Sequence, residues 1–371
     1  MRRIMLLLLL ATPMRMALAQ GHALPELMDE RTVAAIDKGL KFLAAAQRSD
    51  GAWYSAGSMG SYPAAMTALA GQALLASGST PESGPYSREV RKAMFYILRL
   101  AESSPDGLIA GPGGEGRTMY GHGFGMLFLA QCYGMEGGVG RASGGESSDV
   151  GKRIQVVLDK AVELTVKSQS DLGAQYKHAG GWIYTPTGKA DEGSVTVTQL
   201  QALRACRNVG IKVPKATVER AVEYLRFCQN PDGGICYSAA NRGESRPAIS
   251  AAAVACFYAA GVYDRQGGAS SKPGAGTEAE MVEKLVAFCK AKSFTGNDGF
   301  FFYTHLYMAE AMYQRGGKDW AEYYPKIRDR LLPTQSAEGS WAGDNVGTIY
   351  GTALATTILQ QPYGYLPIAQ K

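Results

Sequence analysis

The residues best suited to acid chemistry are an adjacent pair, Asp191 and Glu192, with the hydroxyl side chains of Ser194 and Thr196 close behind them. A carboxylic acid that its surroundings keep neutral can protonate a substrate. The pair also lies directly before an apolar helical run, where an aspartate contributes about 1 kcal/mol as a helix N-cap. Asp191 therefore has two possible roles, and the N-cap is the favoured one.

Histidine is the other residue type with possible chemistry. His122 belongs to the helix pair before the one that carries Asp191, so the two could form a His-carboxylate hydrogen bond, although a structural histidine is the simpler interpretation. His305 falls in a distant helix pair, and joint metal binding with His122 would need a narrow cavity. Catalytic zinc needs three protein ligands. The sequence therefore predicts no metal and no cofactor.

Helices must position these side chains, because apolar residues recur at helical spacing along the chain. Ile36, Leu40 and Leu43 share one helical face, and Asp50-Gly51 then breaks the helix. Trp53 follows the turn, where it can pack under the next element. With 46% hydrophobic residues, the chain has enough apolar material for one shared core.

This pattern of amphipathic helix, glutamine, turn and tryptophan is an internal repeat. Lys92 and Met281 begin two degenerate copies, in which Ala101 and Lys290 replace the glutamine. The clearer copies contain Gln47 and Trp53, Gln169 and Trp182 with seven extra residues between them, Gln229 with Ile235 in the tryptophan position, and Gln335 and Trp341. The glutamine is expected to bond the backbone at a helix end, and the tryptophan to fill the joint between layers.

The pattern resembles the QW motif of the squalene-cyclase and protein-prenyltransferase superfamily, and the copy from Lys38 to Trp53 meets every position. The resemblance implies an all-α fold, the closed (α/α)6 toroid, in which the motif joins each outer helix to the next inner helix. The first and last units carry the best copies and no polar cap, which also favours a closed ring. We expect one domain with six repeats, at about 30–78, 87–135, 152–210, 217–263, 277–316 and 320–360, and an extended tail at 361–371.

In such a ring the N-termini of the inner helices converge on one mouth of a central cavity, where helix dipoles favour anions. The stretches expected there are aromatic and hydroxylic, with the acidic pair among them. The candidate ligand-binding residues are Tyr62, Tyr120, Ser194, Thr196, Arg246, Tyr303, His305 and Tyr350, with Asp191, Glu192 and His122 as the catalytic candidates.

The chain lacks the catalytic motifs that the resemblance would bring. Class II cyclases place Asp-x-Asp-Asp at the start of an inner helix, and the counterpart from Asp191 to Ser194 keeps only the first aspartate. Prenyltransferases bind zinc through Asp-x-Cys and a histidine. His305 lies in the place of that histidine, but no Asp-x-Cys precedes it. The Gly-Cys-Gly-Glu-Gln run of related thioester domains is also absent.

The N-terminus predicts export. Residues 1–19 combine Arg2 and Arg3 with an apolar run and a small-x-small ending, as in a signal peptide, and the run is too short to span a bilayer. Loss of this segment, which also holds Arg15, would lower the formal net charge from +5 to +2. A charge near zero gives no reason to expect nucleic acid as a partner.

The six cysteines fit the role of small buried hydrophobes. Only Cys228 and Cys236, on either side of a tight turn, have a spacing that would permit a disulfide in an oxidising compartment. The sequence leaves that bond open.

Three functions remain. The leading hypothesis is an exported toroid that binds an apolar, isoprenoid-like or lipid-like small molecule, or a peptide, without the family's known catalysis. The second is a divergent terpenoid cyclase or transferase that uses Asp191, Glu192 and His122. The third is a scaffold that acts through its outer surface and two Gly-rich and Ser-rich inserts, 136–151 and 264–276. The oligomeric state stays open.

Overall fold

The computed structural model describes residues 24–111, 115–135, 148–171, 179–259, 275–295 and 300–369. Within these ranges the chain forms twelve α-helices and no strand longer than an isolated bridge. The predicted signal peptide and most of both inserts lie outside the described residues. None of the helices in the described part has the length and apolarity needed to cross a bilayer.

Odd-numbered helices form an outer layer and even-numbered helices an inner one. The outer helices are α1 (Glu30–Ala46), α3 (Ser87–Ser103), α5 (Asp149–Ser168), α7 (Lys215–Cys228), α9 (Ala275–Lys292) and α11 (Gly317–Leu331). The inner helices are α2 (Pro63–Leu75), α4 (Thr118–Gly134), α6 (Gly193–Asn208), α8 (Pro247–Ala259), α10 (Phe301–Arg315) and α12 (Thr348–Leu359).

Burial separates the two layers. In α1 one stripe with Ile36, Leu40 and Leu43 is buried, whereas every residue of α2 is buried. A helix that is apolar on all sides must be covered on all sides, and the outer layer covers it here.

The inner helices contact one another in cyclic order, from α2 through α4, α6, α8 and α10 to α12, and α12 packs on α2 again. α12 also packs on α1. This arrangement confirms the all-α fold expected from the sequence, with the last helix pair against the first.

A repeated pair of hydrogen bonds joins four of the six units to the unit that follows each of them. Gln47 lies at the end of α1, and its Nε2 donates to the carbonyl of Gly51 in its own turn and to that of Glu89 in α3, at 3.1 and 2.9 Å. We call this pair of bonds the glutamine latch. Equivalent bonds run from Gln169 to Gly180 and Thr217, from Gln229 to Gly233 and Met281, and from Gln335 to Gly339 and Ala35. The last of these joins the sixth unit to the first.

The turn glycine of each latch lies against the backbone of the next unit. Gly339 has a φ of +95°, and a Cβ added there would lie 2.5 Å from the carbonyl oxygen of Lys38. Only glycine adopts this conformation readily and leaves room for the neighbouring carbonyl. The same close approach of a Lys or Arg carbonyl occurs at Gly51, Gly180 and Gly233.

The tryptophan of the motif ties the two layers of one unit together. Trp53 is fully buried, and its indole N–H donates to the Leu43 carbonyl of α1 at 2.8 Å. Its backbone N–H donates to the hydroxyl of Thr67 in α2 at 3.0 Å. Trp182 and Trp341 make the corresponding pairs of bonds.

Two expectations need correction. The fifth copy of the motif starts at Lys284 rather than near Met281, because Gln229 and Gly233 contact Met281 and Lys284 in the same register as the other latches. The tail is also not extended throughout, since it turns through two short 3-10 helices, Gln361–Tyr363 and Pro367–Ala369. Its buried residues pack on α6 and α10.

The close approach at the seam predicts a large cost for Gly339→Ala. We expect it to lower the free energy of unfolding by about 3 kcal/mol, because the Cβ adds a clash to about 1–2 kcal/mol of backbone strain. Gly210→Ala is the matched control, since Gly210 has a φ of +89° and open space around it. Urea unfolding measures both variants, and equal losses would contradict the seam contact.

Candidate functional site

The site begins at Glu192, which caps the N-terminus of α6. Its carboxylate accepts hydrogen bonds from the backbone N–H of Val195 and from the hydroxyl of Ser194, each at 2.8 Å. Its backbone N–H donates to the Trp182 carbonyl, so the motif tryptophan fixes the segment that precedes the helix. The cap that the sequence assigned to Asp191 therefore belongs to Glu192.

Burial controls the protonation of this carboxyl. Only 2% of Glu192 is exposed, and the desolvation raises the pKa of the carboxyl above its ordinary value. The bonds from Val195 and Ser194 and the charge of Arg117 oppose that rise. Glu192 is thus a buried acid that its neighbours partly stabilise as an anion.

Tyrosines surround this acid and fill the ring axis at its level. The hydroxyl of Tyr120 on α4 contacts the Ser194 hydroxyl. Tyr303 on α10 reaches across to α6, where its hydroxyl donates to the Ser194 carbonyl at 3.1 Å and lies 3.2 Å from the hydroxyl of Thr198. Packed side chains therefore occupy the place of the expected cavity at this level.

Above the acid lies a half-buried surface that we call the tyrosine mouth: Tyr120, Tyr184, Tyr237 and Arg117. The rings of Tyr120 and Tyr184 are 6.1 Å apart, and the Tyr184 and Tyr237 hydroxyls contact each other. The guanidinium of Arg117 lies over the Tyr184 ring, 4.6 Å from its centroid. This surface combines aromatic faces, hydroxyls and one cation.

Sequence reasoning missed Tyr184, Tyr237 and Arg117. The signal was present, because Tyr184 lies two residues after Trp182, and Tyr237 two residues after Ile235, which takes the tryptophan position. The second residue after each motif position was therefore the place to look.

The structure does not hold Asp191 and Glu192 together as a catalytic pair. Oδ1 of Asp191 accepts from the Tyr224 hydroxyl of α7 at 3.1 Å and from the Ala239 N–H at 2.9 Å. Burial raises the pKa of Asp191, but its hydrogen-bond partners belong to α7 and to the segment after Tyr237, and none is a side chain of the tyrosine mouth. Adjacent residues in an extended segment point to opposite sides, which explains the divergence.

His122 also points away from the acids. Its Nδ1 accepts from the backbone N–H of Ile109 at 3.2 Å, so its Nε2 carries the proton and lies 3.0 Å from the Thr165 hydroxyl of α5 and 3.2 Å from the Ala161 carbonyl. Ile109 occupies the tryptophan position of the second unit. In the first, third and sixth units a threonine hydroxyl accepts the backbone N–H of the residue at this position, and His122 takes the place of that hydroxyl here. The possible hydrogen bond between His122 and Asp191 is not formed, because the ring of His122 is held between Ile109 and α5, and the simpler interpretation as a structural histidine agrees with these contacts.

Three other candidates are structural or remote from the tyrosine mouth. His305 is fully buried between the Tyr323 hydroxyl and the Ser293 carbonyl, at 3.0 and 2.9 Å, so it faces the outer layer. Thr196 accepts from the Trp182 N–H and donates to the Glu192 carbonyl, which uses its hydroxyl in the joint. The side chain of Arg246 is exposed.

Tyr62 and Tyr350 start the inner helices α2 and α12. Tyr62 is half-buried with a φ of +37°, whereas Tyr350 is buried and packs edge-on against Phe302 at 6.4 Å. Nearby, the carboxylate of Asp344 accepts from the Phe302 N–H at 3.3 Å, and burial raises the pKa of Asp344 to about 6. Asp344 is thus a half-buried acid at the start of α10, and it was not among the candidates from the sequence.

A metal site has no support in the described ranges, which contain no cluster of three or more His, Cys, Asp or Glu side chains that could hold an ion. The two acids at inner-helix starts are also separated, since Glu192 lies at the start of α6 and Asp344 at the start of α10. The arrangement can offer a proton or a hydrogen bond at the mouth and aromatic faces around it.

Solved structures share this fold. A variant of the type II terpene cyclase MstE from Scytonema, in complex with geranylgeranyl dihydroxybenzoate, is 15% identical over 91% of this chain and 98% of its own, with a TM-score of 0.54. The GH76A α-1,6-mannanase from Salegentibacter is 10% identical over 89% and 98%, with a TM-score of 0.62. A protein from Actinoplanes is 16% identical over 91% and 99%, with a TM-score of 0.53. No family model and no curated protein matches the chain. These similarities confirm the α/α-toroid fold and, at such low identity, the fold alone.

The burial of His122 predicts that the stability of the protein depends on pH. Burial lowers the pKa of His122 from 6.5 to about 4, so between these values the unfolded chain binds a proton that the folded chain does not. Stability from this residue is complete above pH 6.5 and is lost as the pH falls towards 4, by roughly 3 kcal/mol. Glu192 and Asp344, whose pKa values are raised, act in the opposite direction.

The test therefore compares how much the free energy of unfolding changes with pH in the wild type and in a variant at His122. His122→Gln keeps an amide donor and cannot titrate, so its free energy of unfolding should fall less than that of the wild type between pH 7 and pH 4.5. Urea unfolding at both pH values gives the two slopes. Parallel slopes would show that His122 is not a buried neutral imidazole.

Proposed function

We propose that this chain is an exported ligand-binding protein that holds an apolar, isoprenoid-like or lipid-like molecule against the tyrosine mouth. The observation that carries the proposal is the half-buried group of Tyr120, Tyr184 and Tyr237 with Arg117 stacked on it. Aromatic surface left partly open at a converging set of helix ends is typical of a binding site rather than of a core. A peptide is the alternative occupant.

The side chains packed along the ring axis determine where a ligand could bind. Tyr303 and Tyr350 are buried among their neighbours, so the ligand would lie at the mouth and not deep in the ring. The MstE structure holds geranylgeranyl dihydroxybenzoate, and a related mannanase structure holds α-1,6-mannotriose, so toroids of this fold can accept quite different ligands. The aromatic composition of the mouth favours an apolar ligand here.

Export is part of the same proposal. Its support is the basic start, short apolar run and small-x-small ending of residues 1–19. Binding without the family's catalysis rests on the incomplete Asp-x-Asp-Asp counterpart and on the absence of an Asp-x-Cys motif in the sequence.

Native mass spectrometry tests the binding proposal. We expect the purified protein to retain a ligand or to gain mass with geranylgeraniol, a C20 isoprenoid alcohol. Tyr184→Ala should weaken that binding about tenfold, because it removes most of one aromatic contact surface. Tyr365→Ala is the matched control, since Tyr365 is exposed in the tail. No retained ligand and no shift with geranylgeraniol or lipid extract would contradict the proposal.

One observation favours an enzyme as the second candidate. Glu192 is a buried carboxyl with a raised pKa directly beneath the tyrosine mouth, as a general acid requires. A divergent cyclase or transferase would then use Glu192, with Ser194 and Tyr120 as its hydrogen-bonding partners. Asp191 and His122 would have no part in the chemistry, since their side chains contact the outer layer.

Glu192→Gln separates the two functions. If the protein is an enzyme, this variant should lower turnover of isoprenoid substrates by at least about 100-fold, because it removes the only proton that the acid can give. Asp191→Asn is the control and should reduce turnover far less. Equal turnover by Glu192→Gln and the wild type would rule out this acid, and circular dichroism checks that both variants fold.

The scaffold function remains a third proposal. Both Gly-rich inserts fall largely outside the described residues, so its support is the sequence composition alone. Deletion of residues 264–276 without loss of any partner in a pull-down would weaken it.

A further inference from the structure

The fourth unit lacks the bond that ties the layers together in three other units. Trp53, Trp182 and Trp341 each donate an indole N–H to a carbonyl of the preceding outer helix, at 2.8, 2.8 and 3.0 Å. In the fourth unit the tryptophan position is Ile235, which is fully buried but has no side-chain donor. Its backbone N–H still bonds the Ser250 hydroxyl at 2.8 Å, so the joint is otherwise built in the same way.

Two cysteines lie on either side of this joint. Gln229 and Ile235 form an antiparallel bridge, which places Cys228 directly opposite Cys236, and the Cys236 N–H donates to the Cys228 carbonyl at 2.9 Å. Opposite residues of an antiparallel pair have Cα atoms about 4.5–5.5 Å apart. A disulfide needs a Cα separation of about 4.4–6.8 Å, so the backbone already meets the requirement.

Their side chains also lie on the same face of the ladder, because the two residues are directly opposite in an antiparallel pair. The structure holds both residues as buried thiols. The hydrogen bond between them raises the pKa of Cys228 and lowers that of Cys236, and the positive charge of Arg242 lowers the pKa of Cys236 further. The guanidinium of Arg242 is fixed at this place, because it donates to the Gln229 carbonyl at 2.8 Å and contacts the Phe227 carbonyl. The charge of Arg242 favours Cys236 as the attacking thiolate.

We propose that Cys228 and Cys236 form a disulfide that ties the end of α7 to the segment leading into α8, in place of the tie that Ile235 cannot make. The bond joins the same two segments that an indole N–H joins in the first, third and sixth units. It closes a short loop around the turn at Gly233 and fixes Tyr237, the next residue along, at the tyrosine mouth.

The bond forms by exchange with a disulfide-bearing oxidant, either a small-molecule disulfide or a protein that donates disulfides. The Cys236 thiolate attacks one donor sulfur and releases the other as a thiol. Cys228 then loses its proton and attacks the Cys236 sulfur, which releases the second donor thiol. Two cysteine thiols are oxidised and one donor disulfide is reduced, so electrons and protons balance. Because both sulfurs are buried in the folded protein, the exchange needs a local opening of this joint, while the other four cysteines stay packed in their helices.

The other four cysteines are poor competitors. Cys132, Cys206, Cys256 and Cys289 are buried in helices, and burial raises the pKa of each thiol, for Cys206 to about 12. Little thiolate is present at neutral pH under such conditions. The structure thus assigns the oxidation to one pair.

Thiol counting tests the assignment. The full chain is refolded in a glutathione redox buffer, alkylated in denaturant and weighed intact, so the result does not depend on the cellular address. We expect four alkylated cysteines before reduction and six after it, with one linked peptide pair containing Cys228 and Cys236. Cys289→Ser, as the matched control, should keep the bond, and Cys228→Ser should leave all five remaining thiols free. Six free thiols in the folded wild type, or a different linked pair, would overturn the proposal.

Thermal unfolding tests what the bond does. Oxidised wild type should unfold about 2–5 °C above the same protein refolded with a reductant, because the cross-link restricts the unfolded chain. The Cys289→Ser control should show the same difference, and Cys228→Ser should show none. Equal Tm values for oxidised and reduced wild type would overturn the stabilising role even if the bond is found. If the Cys228→Ser variant fails to fold, the difference in Tm between oxidised and reduced wild type still decides the question.

Discussion

The structure depends on a close approach between backbones, repeated at the joint between units. A glycine with positive φ lies under a Lys or Arg carbonyl of the next unit, and a glutamine amide bonds one carbonyl on each side of that contact. Neither unit can complete this contact alone, because each supplies half of it. The contact between Gly339 and Lys38 is the one that brings the last unit to the first. Seen this way, the glutamine and glycine of the motif join neighbouring units, whereas its tryptophan joins the two layers of one unit.

The position of the tyrosine mouth follows from the role of tryptophan in joining the two layers of one unit. Once tryptophan fixes the entry to an inner helix, the second residue after it points towards the helix starts, and in two neighbouring units that residue is a tyrosine. Tyr184 and Tyr237 meet there with Tyr120, and the N-terminus of α6 holds Glu192 below them. The same units use Thr196, Ser250 and His122 as acceptors for the joint. Thr196 and His122, which were candidate site residues in the sequence, therefore have structural roles at the layer joints. The tyrosine mouth is built instead from residues that lie two positions after the tryptophan position.

The sequence predicts the ring better than the site, for physical reasons that particular residues show. The motif predicts the helix pairs because its glycine and glutamine have roles that few other residues can fill. The fifth copy was placed three residues early because its glutamine is lost, and the contacts of Gln229 and Gly233 were needed to set the register. The direction of His122 depends on which side of α4 faces α5 and Ile109, and the sequence alone does not give that rotation. The side chains of Asp191 and Glu192 point to opposite sides because their segment is extended, and the amino-acid sequence does not show that conformation.

The central claim is that the tyrosine mouth is where this protein meets its ligand. Hydrogen–deuterium exchange measured by mass spectrometry, with and without the molecule retained by the purified protein or with geranylgeraniol, tests it most directly. The account predicts slower exchange in peptides that cover residues 117–120, 183–194 and 236–239, and unchanged exchange in the outer helices. Protection confined to the outer helices or the tail, with the mouth peptides unchanged, would contradict it.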